Sequence, residues 1–327
     1  MSLEQASTVK KYEKFKKDQF IDILKLIVPV IVLVAISIFF YVVSEGRLLT
    51  QMNLILILNQ AIIVMIGACG SIFVMAHGGL DFSIGSVLGI SALAAVTAAD
   101  ATNGNPVVTI LCAVIAGAAC GLVTGGLHVL TGIPSFVVSL CMMFLYRGIV
   151  STLTVDKVLT VPTNLSFFNN VSVKIVSLIV ILFIAFVIFE YTKIGKYNKA
   201  IGGSEVASSM NGIPVKLYKL IAFLICGIAV GVASFFDIVR EGSVMPTTGQ
   251  SYETNVLIAL VLGGMPLSGG AKSRFRSVIL GSILVAVLNN GLVLWCINDR
   301  LTEAIEGVVF LVSVALTYER QNGLVVS

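Results

Sequence analysis

The chain has 327 residues, 57% of them hydrophobic and 12% charged, with a mean hydropathy of +1.02. A soluble domain carries about a quarter of its residues as charges, so the composition excludes a soluble enzyme or a nucleic-acid-binding domain and indicates a polytopic membrane protein. The net charge of +4 is less informative than where the charges fall.

A helix needs roughly 20 apolar residues to cross the hydrocarbon core. Ten stretches qualify as candidates: 24–43, 54–76, 84–99, 107–131, 135–154, 173–192, 217–239, 255–268, 278–297 and 301–318. The first is too long for a signal-peptide core and lacks a small-residue cleavage site, so it is expected to remain as a span. Stretches 84–99 and 255–268 are short, and 301–318 carries Glu303 and Glu306. The expectation is an all-α transmembrane bundle of about ten spans, with eight spans plus re-entrant segments as the alternative.

Cytoplasmic loops carry an excess of Lys and Arg. With the N-terminus inside, 15 of the 21 cationic residues fall in inner segments, five (Arg47, Lys157, Lys174, Arg240 and Arg300) in outer ones, and Arg147 within a span. Both termini are then cytoplasmic. The division is a cytoplasmic segment 1–23, a transmembrane domain 24–318 and a cytoplasmic tail 319–327. Within the domain, 193–219 is the longest polar interruption and holds five lysines. It is expected to lie in water on the inner face.

Small residues recur at helical spacing. Gly117, Gly121 and Gly125 share a face, as do Gly85 with Gly89 and Gly227 with Gly231, which lets backbones approach where lipid gives no hydrophobic drive to associate. The six cysteines (Cys69, Cys112, Cys120, Cys141, Cys226 and Cys296) sit singly in apolar runs, without metal or redox spacing, and read as small buried residues.

Few polar residues interrupt the spans. Asp81 follows Gly78 and Gly79 at the mouth of a short span. It has two compatible readings: a cap for a helix beginning near Phe82, and, with Gly79, a point on a substrate pathway at a glycine break. Arg147 must face the bundle interior or snorkel, because a charge facing lipid costs at least about 2.5 kcal/mol. It is either part of a structural ion pair or a transport residue. Asn289 and Asn290 are set for interhelical hydrogen bonding or for the pathway; neighbours point about 100° apart, so only one readily faces a given cavity. The acids Asp81, Glu190, Asp237, Glu303 and Glu306 all lie near span ends. His77 and His128 have no ligand spacing. There is no P-loop, no HExxH and no converging nucleophile and base, so no catalytic or metal residues are assigned and any work on a substrate must be powered from elsewhere.

Several stretches together resemble the membrane permease of bacterial ABC importers of the ribose, xylose and galactose type. They are GGLDFSIGSVLG (78–89), IGKYNKAIGGSEVASSMNGIPV (194–215), REGSVMPTTGQSYE (240–253) with LGGMPLSGG (262–270) and VLNNGLVLW (287–295), and FVVSLCMMFLYRGIV (136–150). They follow the family order from about residue 50 to 320. The resemblance implies a type II importer permease in the cell membrane, not itself an enzyme. It would pair with a second permease copy, alike or different, rest on two ABC ATPase subunits that hold ATP and Mg, and receive a monosaccharide from an extracellular solute-binding protein. Gly195, Ala200, Gly202, Ala207, Gly212 and Ile213 match the family's cytoplasmic pattern. The loop would supply a coupling helix, with Glu205, Ala207 and Gly212 near the ATPase.

Two departures stand out. GGMPLSGGAKSRFRS brings Met265, Pro266, Lys272, Arg274 and Arg276 to an inner turn, and YETNV places Asn255 where the family is acidic. The alternative class is an ATPase-independent secondary transporter or channel for a small polar solute.

Overall fold

The computed structural model describes residues 29–155, 159–296 and 299–317. The segments 1–23 and 319–327, with Lys157 and Arg320, lie outside these residues.

Helix α1 (Pro29–Val43) leads into α2 (Gln51–Ala76), α3 (Ile84–Ala101), α4 (Pro106–Thr131) and α5 (Ser135–Thr154). A two-residue strand β1 (Leu159–Thr160) precedes α6 (Val171–Phe186), which continues as a π-helical turn through Tyr191. Two short polar helices follow, α7 (Lys193–Gly203) and α8 (Glu205–Met210), and then α9 (Val215–Glu241) and strand β2 (Ser243–Val244). Then come α10 (Tyr252–Leu262), α11 (Arg276–Leu294) and α12 (Asp299–Thr317). Among the described residues, seven helices are long and apolar enough to cross a bilayer: α2, α3, α4, α5, α6 with its π turn, α9 and α11. The protein is an all-α polytopic membrane bundle; among the described residues there is one small antiparallel pairing, Leu159 with Val244 and Thr160 with Ser243.

Seven of the ten predicted stretches coincide in order with these seven helices; 24–43 is described only from Pro29, and 255–268 needs correction. The stretch 255–268 is helical only over Tyr252–Leu262. Gly263, Gly264 (φ +93°) and Pro266 break it, whatever the apolar character of Met265 and Leu267. At about 1.5 Å per residue, α10 is about 16 Å long, roughly half a bilayer core.

Helix α2 is the centre of the bundle and is buried continuously from Ala61 to Ala76. The glycine faces do what their spacing suggests: a Cβ on Gly117 or Gly121 would strike the Gly227 or Phe223 carbonyl of the antiparallel α9, and one on Gly70 would strike Cys226. Such contact replaces the missing hydrophobic drive with dispersion between backbones. In contrast, α6 is largely uncovered, as expected for a lipid-facing helix. Cys69, Cys120 and Cys226 are buried as expected, whereas Cys141 and Cys296 are exposed. Lys174, in the first turn of α6, is buried, and its Nζ donates to Asn59 Oδ1 at 2.8 Å and Asn169 Oδ1 at 2.7 Å.

Candidate functional site

Residues 192–215 form a polar elbow at one end of the bundle. The Thr192 hydroxyl accepts from Ile194 N at 3.2 Å and starts α7; the Ser204 hydroxyl accepts from Ala207 N at 3.2 Å and starts α8. Gly212, at φ +77°, closes α8, and Pro214 opens α9. Helix α7 buries Gly195, Asn198 and Ile201 against the bundle, and Tyr197 meets Tyr218 edge-on at 4.8 Å. Helix α8 does the reverse. Only Ser208 is buried, while Val206 and Met210, one turn apart, are 65% and 84% exposed.

The sequence-predicted loop residues therefore divide. Gly195 packs on the Phe189 backbone and Gly202 on the Ala76 carbonyl, so within this chain their missing side chains serve close packing. Ala200, Glu205, Ala207 and Gly212 are exposed, and Ile213 is half-buried. Glu205 is not a free charge: its Oε2 accepts from Lys219 Nζ at 2.8 Å.

At the base of the elbow three distant stretches meet. Gly270 N donates to Ala76 O at 2.9 Å, and a Cβ on Gly202 would strike both that carbonyl and Gly270 N. Gly78, at φ +82°, lies against Ser268 O. The Glu190 carboxylate extends the junction, taking Lys199 Nζ at 2.5 Å and Phe275 N at 3.2 Å. The end of α2 thus meets the stretches 194–215 and 262–270 in one backbone-to-backbone contact that Gly202 and Gly270 make possible, and the stretch 78–89 joins it through Gly78.

The α2–α3 break lies just above it. Gly79 is buried against His77 Nε2 and Ser135 Oγ. Leu80 N and Phe82 N donate to Ser135 Oγ and Ser139 Oγ, each at 3.0 Å, and so hold the non-helical segment to α5. Asp81 is not the cap expected for a helix starting at Phe82. The helix starts at Ile84, and Asp81 Oδ1 accepts from Ser83 N at 2.8 Å and Ser83 Oγ at 2.6 Å. Burial raises the Asp81 carboxyl above the usual range, with the Ser83 contacts opposing it. Burial likewise pushes the His77 imidazole down to about 3.

A second break, missed from sequence, follows β2. Gly249 (φ +78°) and Ser251 (φ +59°) turn the chain into the bundle. The Tyr252 hydroxyl then donates to Ile63 O at 2.8 Å, at the thirteenth residue of the 26-residue α2, so α10 begins halfway through the bundle. Segment 240–254, expected in an outer loop, instead carries Glu253 into the interior. There Arg147 Nη2 approaches Glu253 Oε2 at 3.5 Å and Gly249 O at 3.4 Å. Gly85 makes the room, since a Cβ there would overlap both Glu253 Oε2 and Gly249 O. The signal in the sequence was the pairing of Gly85 and Gly89 with a glycine and an acid in TGQSYE, which spacing along one helix does not reveal.

The remaining pathway candidates do not converge with these. Asn290 exchanges amide hydrogen bonds with Asn53 at 2.8 and 2.9 Å, and Asn289 Nδ2 donates to Asn255 Oδ1 at 2.8 Å. Both amides are interhelical ties. Asn255 is two residues from Glu253, about 200° around α10 and hence on its other side.

Among the described residues no group of three His, Cys, Asp or Glu is placed to hold a metal ion. A family profile described as "Branched-chain amino acid transport system / permease component" matches residues 53–314. The chain is 30% identical over 305 residues to the ribose import permease protein RbsC of Escherichia coli K12, covering 88% of this chain and 93% of the relative. It is 26% identical to the D-allose transport system permease protein AlsC of the same strain (84% and 85% covered). It is also 26% identical to the fructose import permease protein FrcC of Rhizobium meliloti (88% and 84%). No solved structure matches the chain. The apolar bundle with its glycine-packed breaks and the match across most of its length place this chain in the family of transport-system permease components.

Proposed function

We propose that the protein is the permease subunit of an ATP-binding cassette importer and forms the translocation pathway for a monosaccharide. The observation that carries the reading is the junction at Ala76, Gly202 and Gly270, where the polar elbow is locked to the end of α2 and to the α10–α11 turn. A force applied to α8 passes through that contact to the α2–α3 break and the α10–α11 turn. The relatives' names, ribose, allose and fructose permeases, support a sugar as solute.

In this reading the bundle has ten membrane segments with both termini cytoplasmic, in a bacterial inner membrane. The elbow faces the cytoplasm and α8 docks on an ABC ATPase subunit that holds ATP and Mg. Val206 and Met210 provide an apolar knob for that contact, and the Glu205–Lys219 pair sits at its rim. A second permease copy faces the half-open side of α5 and α10, and an extracellular binding protein delivers the solute. ATP-driven closure of the two ATPases draws the elbows together and rocks the bundle between outward-open and inward-open arrangements.

The test is uptake of labelled monosaccharide by cells carrying the whole transporter. Uptake that persists with an uncoupler and stops on ATP depletion is expected; the reverse result, pointing to a secondary transporter, would sink the proposal.

A further inference from the structure

We propose that Arg147 and Glu253 form a solute-contacting station halfway through the pathway, built for a neutral, hydroxyl-rich molecule. This rests on the permease reading above and adds the residues and the chemistry they select.

Depth comes first. Arg147 is the thirteenth residue of the 20-residue α5, and Glu253 lies in the first turn of a helix that starts level with the middle of α2. Both side chains are partly open, at 26% and 13% exposure, and Ser251 and Thr254 beside them are half-buried. Non-helical backbone and polar side chains at this depth persist only where protein or a water-filled cavity covers them. Lipid cannot face this ledge; in the permease reading its open side faces the second permease copy across the pathway.

The chemistry follows from the pair. A guanidinium carries five N–H donors, and among the described residues only Nη2 of Arg147 has an acceptor. The Glu253 carboxylate supplies acceptors, and the N-terminus of α10 favours its charge. A sugar hydroxyl both donates and accepts, so adjacent hydroxyls can engage the two groups at once and leave the pair intact. An amino-acid zwitterion would compete for each charge with its partner, and separating a partly buried pair leaves each charge less well compensated. The station therefore favours polyols over the amino acids in the family's description.

The experiment measures uptake kinetics, per assembled complex, in cells carrying the complete transporter with Arg147→Gln, Glu253→Gln or both. Each single change should raise the KM for monosaccharide at least tenfold, and the double change should not restore it. If the pair were only a staple between α5 and α10, the double amide would recover wild-type kinetics, and that result overturns the proposal. Unchanged KM in the single variants overturns it too, while leaving the permease reading intact; a wild-type complex with no ATP-dependent monosaccharide uptake overturns both. Should the variants fail to assemble, Thr254→Cys with Cys112, Cys141 and Cys296 changed to Ser gives a second readout. Monosaccharide should slow its modification by a thiol reagent at least threefold and leucine should not; no protection, or equal protection, overturns the proposal.

Discussion

The amide of Gly270 donates to the carbonyl of Ala76 at 2.9 Å, joining residues 194 positions apart at the point where Gly202 closes over both. That carbonyl belongs to the last turn of α2, whose terminal carbonyls lack intrahelical partners. A loop from the far end of the chain supplies one. The contact ties the orientation of the elbow to the end of the central helix.

Overpacking at this junction should therefore be far more damaging than the same change nearby. Gly202→Val is expected to cost on the order of 1–3 kcal/mol, because its Cβ would strike the Ala76 carbonyl, whereas Gly203 has nothing within 4 Å. Thermal melts of detergent-purified protein should show a clear fall for Gly202→Val and little change for Gly203→Val.

Changes on α8 should separate folding from coupling. Met210→Asp and Val206→Asp alter residues that are solvent-exposed in this chain, so insertion and melting temperature should hold. Solute-stimulated ATP hydrolysis by the assembled complex should fall at least tenfold. Glu205→Ala removes an exposed pair with Lys219, and its stability effect should be within about 1 kcal/mol. Retained coupling in Met210→Asp would show that α8 is not the docking element.

The Asn53–Asn290 amide pair offers a double-mutant cycle. Asn290→Ala leaves Asn53 without its partner, although Asn53 Nδ2 also reaches Leu48 O at 2.9 Å. Coupling energies between such interhelical pairs average about 0.6 kcal/mol and reach about 1.7. A coupling in that range, measured by melts of both single variants and the double, is expected here.

Asp81 should make stability depend on pH. Its folded-state carboxyl binds a proton more readily than in the unfolded chain, so the folded state holds more protons and stability falls as pH rises from the usual carboxylate range through the raised folded value. Asp81→Asn keeps an oxygen for the Ser83 donors without a titrating charge. It should flatten that decline and melt higher than wild type at neutral pH; an unchanged profile would count against a buried, raised carboxyl.

Much of the fold was legible in the chain. Runs such as 107–131 and 135–154 announced spans to within a residue or two, because apolar length is what a bilayer selects. The Gly117–Gly121–Gly125 face declared a close helix contact. The site was less legible: the glycines of the elbow could be noticed, but Gly195 and Gly202 serve an internal contact while Val206 and Met210, unremarked, form the exposed face. Helical period shows that two residues share a face; it does not show which face meets the bundle.

By itself, then, the sequence determined membrane residence, the order of the helices and the faces where they pack closely, since hydropathy and spacing act within a single helix. Only the tertiary structure decided the depth of Glu253. A stretch that reads as an outer loop is drawn inward because the Tyr252 hydroxyl finds Ile63 O, 189 residues away, and because Gly85 leaves space for the carboxylate. Depth in a bundle is fixed by such long-range partners, which local composition does not encode.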